Sequence, residues 1–137
     1  MTVETTELTL PSRIEAVNEA AGAIAEILSR SGASEEAAFG VDMAVREAVT
    51  NAVLHGNKRD ETKLVHVTLK SSPDRIEITV HDEGSGFNPA EVPDPTAAEN
   101  ILKTSGRGIF LMRNFMDEVD WTIRPAGGTT VRMAKRI

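Results

Sequence analysis

Two spacings of hydrophobic residues divide the chain into predicted helices and strands. A weak alternation over residues 5–10 predicts a short first strand. Hydrophobic residues then recur at helical spacing over residues 14–28. Ser12 and Glu15 match the S-x-x-E capping box and Gly32 suits a helix end, so the sequence predicts a first helix that Ser12 caps and Gly32 ends.

The second predicted helix differs from the first because its hydrophobic residues surround nearly the whole helix. It is capped by Ser34 and extends to about His55, where Gly56 ends it. Hydrophobic side chains from Phe39 to Leu54 leave few positions for a polar face. Such a helix is normally buried.

Period-two alternation predicts four further strands, over residues 65–69, 76–80, 119–123 and 131–133. Pro73 and Asp74 form the turn between the first two strands, and residues 125–128 join the last two. A long loop from residue 82 to about 105 and a helix that begins near Gly106 lie between the two pairs.

The element order β-α-α-β-β-α-β-β predicts an α+β fold. We expect a two-layer α/β sandwich in which one mixed, mostly antiparallel sheet is covered by helices on one face. A parallel doubly wound sheet is excluded because no glycine-rich fingerprint follows the first strand. The length predicts a single domain over residues 1–137.

Composition narrows the functional classes. The chain has 15 Lys and Arg against 21 Asp and Glu, a net charge of −6, and its aromatic residues are one Trp and four Phe, so direct nucleic-acid binding is disfavoured. Without Cys it has no disulfide, thiolate zinc site or Cys nucleophile. No apolar run approaches the roughly 20 residues of a membrane span, and no signal peptide is recognisable, so we expect no membrane partner and a cytoplasmic protein.

A carboxylate and a carboxamide share one face of the second helix. Glu47 and Asn51 are four residues apart, and His55 continues the row. The Asn51 oxygen suits Mg²⁺, and Glu47 could accept a proton from a water or a hydroxyl. The alternative is a partly exposed helix edge where both side chains meet solvent.

An acidic residue followed by glycines ends the strand over residues 76–80. Asp82 keeps the parity of the core-facing positions, so it is predicted to be buried, and an adenine amino group would serve as its donor. Gly84 and Gly86 allow positive φ and a close backbone approach to a ligand. The alternative is a tight turn with a solvent-facing Asp82.

Two further glycine-containing segments lie at the ends of regular elements: Ser105-Gly106-Arg107-Gly108 and Gly127-Gly128-Thr129-Thr130. The first opens a helix, where free N–H groups favour phosphate and Arg107 adds a positive charge. It is equally typical of a flexible linker. The second needs no ligand if it is considered alone, because Gly-Gly is an ordinary hairpin turn.

Together, in this order, these motifs resemble the Bergerat-fold ATPases, the superfamily of gyrase, MutL and histidine kinases. Within it the chain is most similar to the anti-sigma-factor serine/threonine kinases of the RsbW type. The resemblance covers nearly the whole chain and rests on these segments: Glu47-Ala48-Val49-Thr50-Asn51-Ala52 with His55-Gly56, Asp82-Glu83-Gly84-Ser85-Gly86, Gly106-Arg107-Gly108-Ile109, Met112-Arg113-Asn114-Phe115-Met116-Asp117, and Gly128-Thr129-Thr130-Val131.

The resemblance implies roles for individual residues. Asn51 would hold Mg²⁺, and Glu47 would be the catalytic base. The nucleotide-binding residues would be Asn51, Asp82, Gly84, Gly86, Ser105, Gly106, Arg107, Gly108 and Thr129. Of these, Asp82 and Thr129 match positions near adenine, and Gly106 to Gly108 match the phosphate turn beneath a mobile ATP lid over about residues 88–105.

The implied function is an ATP- and Mg²⁺-dependent serine/threonine protein kinase that acts as an anti-sigma factor. It would phosphorylate a STAS-domain anti-anti-sigma protein, sequester a sigma factor, and form a homodimer. The alternative is a nucleotide-binding partner-switch module that binds sigma-like or STAS-like proteins without significant kinase activity. A sensor histidine kinase is disfavoured because His55 lies inside the predicted catalytic helix.

Overall fold

Five strands form one sheet in a computed structural model that describes residues 4–84, 112–123 and 127–137. The strands are β1 (Glu4–Pro11), β2 (Leu64–Ser72), β3 (Arg75–Asp82), β4 (Glu118–Ile123) and β5 (Thr129–Arg136). Their order across the sheet is β1-β2-β3-β5-β4, and all four pairings are antiparallel. The strands predicted from alternation are therefore confirmed, with β5 inserted between β3 and β4.

In the part of the chain that the structure describes, two long helices cover one face of this sheet. They are α1 (Glu15–Arg30) and α2 (Glu35–Asn51), and a π-helical turn over Ala52–Gly56 continues α2. The core between the layers contains the alternate residues that the sequence pattern assigned to the inner face: Val65, Val67, Leu69, Ile76, Ile78, Val80, Val131 and Met133. The predicted α+β two-layer sandwich is confirmed.

The two predicted helix caps have different outcomes. Ser34 Oγ accepts a hydrogen bond from Ala37 N at 3.1 Å, as expected for an N-cap. The capping box at Ser12 is wrong, because α1 begins at Glu15 and no side chain caps it. Ser12 is buried and its hydroxyl instead donates to the Lys63 carbonyl at 2.6 Å, a tertiary bond that a local motif cannot reveal.

The second helix is less buried and less regular than its hydrophobic pattern predicts. Its inner face is buried, but Phe39 is 58% exposed and makes an edge-on ring contact with Phe115 at 5.7 Å. After Asn51 the helix widens into the π-turn, which closes when Asn57 N donates to Ala52 O at 2.8 Å. The helical path therefore does continue past His55 to Gly56, but its last turn is not α-helical.

No helix among the described residues is long and apolar enough to cross a membrane.

We expect Ser34→Ala to lower the free energy of unfolding by about 1 kcal/mol, because the Ala37 N–H at the start of α2 loses its acceptor. Chemical denaturation followed by circular dichroism measures this loss. Ser29→Ala, at an exposed position of α1, is the control and should change stability much less. Equal effects of the two substitutions would contradict the assigned cap.

Candidate functional site

A cleft lies where the end of α2 meets the ends of β3, β4 and β5. The cleft is narrow, with a cavity volume of only about 10 Å³. The described residues that line it are Ala48, Asn51, Ala52, Val80, Asp82, Met112, Trp121, Thr129 and Val131. Three of the predicted site residues, from three distant parts of the sequence, therefore share one cleft: Asn51, Asp82 and Thr129.

Asp82 is the last residue of β3 and is buried, as the strand parity predicted, with 1% of its surface exposed. The backbone N–H groups of Gly84 and Thr129 both donate to its Oδ1, each at 3.1 Å. Burial raises the pKa of the Asp82 carboxyl, and these two N–H groups oppose that rise only in part. A solvent-facing Asp82 is therefore excluded.

Two glycines allow the backbone to pack directly against Asp82. A Cβ on Gly56 would overlap Asp82 Oδ2, and a Cβ on Gly84 would overlap the Gly56 carbonyl oxygen. The expected close approach at Gly84 is thus made to Gly56, and Gly84 is not among the described glycines with positive φ. The π-turn and the end of β3 consequently touch through their backbones.

Asn51 and Glu47 occupy one face of α2, one turn apart. Asn51 is 5% exposed and its Nδ2 is buried without a hydrogen-bond partner among the described residues. Glu47 is half-buried, and burial raises its pKa. An orphaned buried amide at a cleft is costly unless a ligand satisfies it, so a partly exposed helix edge does not describe Asn51.

The remaining predicted site residues have different outcomes. Thr129 is buried beside Asp82, and His55 is half-buried in the π-turn. Gly86 and the segment Ser105, Gly106, Arg107 and Gly108 lie outside the described residues, as does the expected lid over residues 88–105. Their assigned roles stay predictions.

Sequence patterns did not assign the apolar wall of the cleft to a site. Met112 and Trp121 contribute to this wall, and the Arg113 guanidinium lies 5.3 Å from the Trp121 ring. Trp121 is one of the alternating hydrophobic residues that predicted the strand over residues 119–123, and nothing further in the sequence distinguishes it from an ordinary core residue. Because it is the chain's one Trp, its fluorescence reports on this cleft.

The α+β sandwich, with Asp82 and Asn51 buried at one end of its sheet, has the architecture that the resemblance to ATPase domains implied. The chain belongs to the family described as histidine kinase-like ATPase domain, whose model matches residues 10–135. It is 34% identical over 138 residues to serine-protein kinase RsbW of Staphylococcus epidermidis, covering 96% of this chain and 86% of that protein. The predicted similarity to RsbW-type proteins is therefore confirmed.

Other known proteins agree with this family. Anti-sigma F factor of Oceanobacillus iheyensis is 32% identical over 117 residues, which are 84% of this chain and 80% of that protein. A crystal structure of the RsbU and RsbW domains of Rv1364c from Mycobacterium tuberculosis matches with a TM-score of 0.71 at 21% identity. The match covers 97% of this chain and 32% of that longer one, and it supports the fold.

The buried carboxyl predicts a specific dependence of stability on pH. Because the folded-state pKa of Asp82 is raised, its contribution to stability falls as pH rises from about 4 through the folded pKa. In Asp82→Asn the amide oxygen still accepts both N–H groups but carries no charge. We therefore expect the melting temperature of the variant, relative to wild type, to increase between about pH 4 and about pH 7.5.

Thermal denaturation at several pH values measures this difference. The control is Asp74→Asn at the exposed β2–β3 turn. The melting temperature of this variant, relative to wild type, should not increase as pH rises. A relative melting temperature of Asp82→Asn that decreases as pH rises would contradict the assignment.

Proposed function

We propose that this chain is an ATP-dependent serine/threonine protein kinase that acts as an anti-sigma factor in a partner switch. The observation that carries the proposal is the convergence of Asn51, Asp82 and Thr129 in one cleft, with a half-buried Glu47 one helical turn from Asn51. The kinase and anti-sigma names of relatives that share a third of their residues with it support the same function.

Adenine recognition is the role we infer for Asp82. Its Oδ1 already accepts from two backbone N–H groups, so Oδ2 is the oxygen left to accept a hydrogen bond from an exocyclic amino group. The apolar wall formed by Val80, Met112 and Val131 suits the faces of a base. Thr129, fixed through its own backbone bond to Asp82, supplies a hydroxyl at the same edge.

Magnesium binding is the role we infer for Asn51. The donor set fits, because a buried amide without a described partner can turn its oxygen to a cation that takes one or two protein ligands. Water and the phosphates would supply most of the remaining ligands of such an ion. When bound, the ion would neutralise charge on the phosphates.

Glu47 is the base that we infer for the substrate hydroxyl. Its carboxylate would accept the proton of a serine or threonine on the partner protein as that oxygen attacks the γ-phosphorus of ATP. The bond to the β-phosphate oxygen breaks, and ADP leaves with the bonding electrons. Burial raises the pKa of Glu47 toward the range where a general base is most effective.

The partners follow from the relatives' names and stay proposals. We infer that the phosphate acceptor is a STAS-type anti-anti-sigma protein, that the sequestered protein is a sigma factor, and that the kinase is a homodimer. Sedimentation should give twice the chain mass of 14.8 kDa. A monomer at micromolar concentration would contradict the dimer without affecting the nucleotide site.

Substitutions of Glu47 separate catalysis from binding. Glu47→Gln should lower phosphate transfer to a STAS partner by about 10²–10⁴-fold, because a general base contributes about that much. ATP affinity, measured by Trp121 fluorescence, should change little, since the amide keeps the size of the side chain. Glu36→Gln, an exposed residue at the start of α2, is the matched control.

A second nucleotide-binding function would give a different result. If ATP binds but no phosphate appears on the partner with wild-type protein, the chain is a partner-switch module without kinase activity. Phosphate transfer by Glu47→Gln at the wild-type rate would instead exclude Glu47 as the base.

Asn51→Ala tests the magnesium assignment. Removing the amide should abolish the gain in ATP affinity that Mg²⁺ gives to the wild-type protein, because the cation loses its protein ligand. Titrations of both proteins with ATP, with and without Mg²⁺, measure this gain. An unchanged Mg²⁺ effect in Asn51→Ala would contradict the assignment.

A further inference from the structure

Asn57, directly after the π-turn, is a buried amide whose hydrogen bonds are all intramolecular. It is 1% exposed. Its Nδ2 donates to Ser12 Oγ at 2.7 Å and to the Leu64 carbonyl at 3.0 Å, and its Oδ1 accepts from Glu83 N at 2.8 Å. A backbone N–H only donates and a carbonyl only accepts, so these partners fix the orientation of the amide.

This amide joins four segments that are distant in sequence. Ser12 precedes α1, Leu64 begins β2, Glu83 follows β3, and Asn57 itself follows the π-turn. Ser12 completes the arrangement by donating to the Lys63 carbonyl at 2.6 Å. Asn57 follows the predicted end of the second helix at Gly56, and the sequence pattern gave no indication of these contacts.

The bond to Glu83 is the one that reaches the proposed nucleotide site. Glu83 lies between Asp82 and Gly84, and its N–H is held by Asn57 while the Gly84 N–H is held by Asp82 Oδ1. The Glu83 side chain is itself anchored to β2, where it accepts from Leu64 N at 2.9 Å and bonds His66 Nε2 at 2.7 Å. The backbone on the carboxyl side of Asp82 is therefore fixed from β2 and from the π-turn.

We propose that Asn57 is a positioning residue that sets the Asp82 carboxylate for its ligand by holding the Glu83 N–H. This inference rests on the proposed nucleotide-binding function of Asp82. Gly56 and Gly84 have no side chains, so the backbone of the π-turn can touch the backbone after β3. That contact alone does not fix the position of one segment along the other. The Asn57 amide supplies that register, because its bond to Glu83 joins the residue after Gly56 to the residue before Gly84.

Asn57→Ala and Ser12→Ala separate positioning from stability. Both remove buried hydrogen bonds of the same network and should destabilise the fold. Only Asn57→Ala removes the bond to Glu83; in Ser12→Ala the amide keeps its bonds to Leu64 and Glu83. Titration with ATP, followed by Trp121 fluorescence well below each melting temperature, should give a Kd raised about tenfold for Asn57→Ala. Ser12→Ala should stay within about twofold of wild type.

Asn57→Asp is the conservative variant. It keeps an acceptor oxygen for the Glu83 N–H but loses the amide donors to Ser12 and Leu64. We expect lower stability with an ATP affinity closer to wild type than that of Asn57→Ala. If the alanine variant does not fold, an ATP affinity of Asn57→Asp within about twofold of wild type supports the positioning role, and a loss of about tenfold or more overturns it.

Amide spectra test the same proposal without nucleotide. In ¹⁵N-labelled protein, Asn57→Ala should shift the Gly84 and Thr129 signals, whose N–H groups bind Asp82, and Ser12→Ala should leave them in place. If wild type binds no ATP, the proposed function fails, and these spectra still decide whether Asn57 positions Asp82. Equal ATP affinities of Asn57→Ala and wild type, equal losses in both alanine variants, or unshifted Gly84 and Thr129 signals would overturn the positioning role.

Discussion

The burial of the Asp82 carboxylate is the constraint on which the rest of the site depends. A carboxylate removed from water requires donors, and its two described hydrogen bonds come from backbone N–H groups rather than from a cation. Glycines surround the residue, since a Cβ on Gly56 would overlap the carboxylate and a Cβ on Gly128 would overlap the Asp82 backbone oxygen. A buried carboxyl in a cleft where Asn51 Nδ2 has no partner among the described residues is more typical of a binding site than of a group kept for stability.

Periodicity predicted the parts of the site that depend on local geometry. Strand alternation gave the burial of Asp82 before any contact was known, and the helical repeat placed Glu47 and Asn51 on one face. The Ser12 prediction is wrong because its hydroxyl donates to the Lys63 carbonyl and accepts from Asn57 Nδ2, and both partners are distant in sequence. The sequence predicted a buried second helix, but Phe39 on that helix is exposed. The hydrophobic residues around a helix do not show how much of the helix surface the sheet covers.

The π-turn is the feature that no local pattern predicts and that the site most requires. It adds a residue to the last turn of α2, and π-turns are frequent at functional sites. The chain leaves it through Lys58 and Arg59 at φ values of 50° and 59°, a conformation that costs energy in residues other than glycine. The widened turn brings Gly56 against Asp82 and leaves Asn57 facing Glu83, so the strain is offset by contacts that organise the site.

The same physical effect, burial, acts on the two carboxyls of the site with different chemical consequences. At Glu47 burial raises the pKa, and no described hydrogen bond opposes it, so the group gains proton affinity, which favours a general base. At Asp82 burial also raises the pKa, but two backbone N–H groups stabilise the ionised form. Both donate to Oδ1, so that oxygen is already occupied and its position is fixed. A base needs proton affinity, whereas a recognition group needs a fixed acceptor. Hydrogen bonds at one carboxyl and their absence among the described contacts at the other thus support the two roles proposed for Asp82 and Glu47.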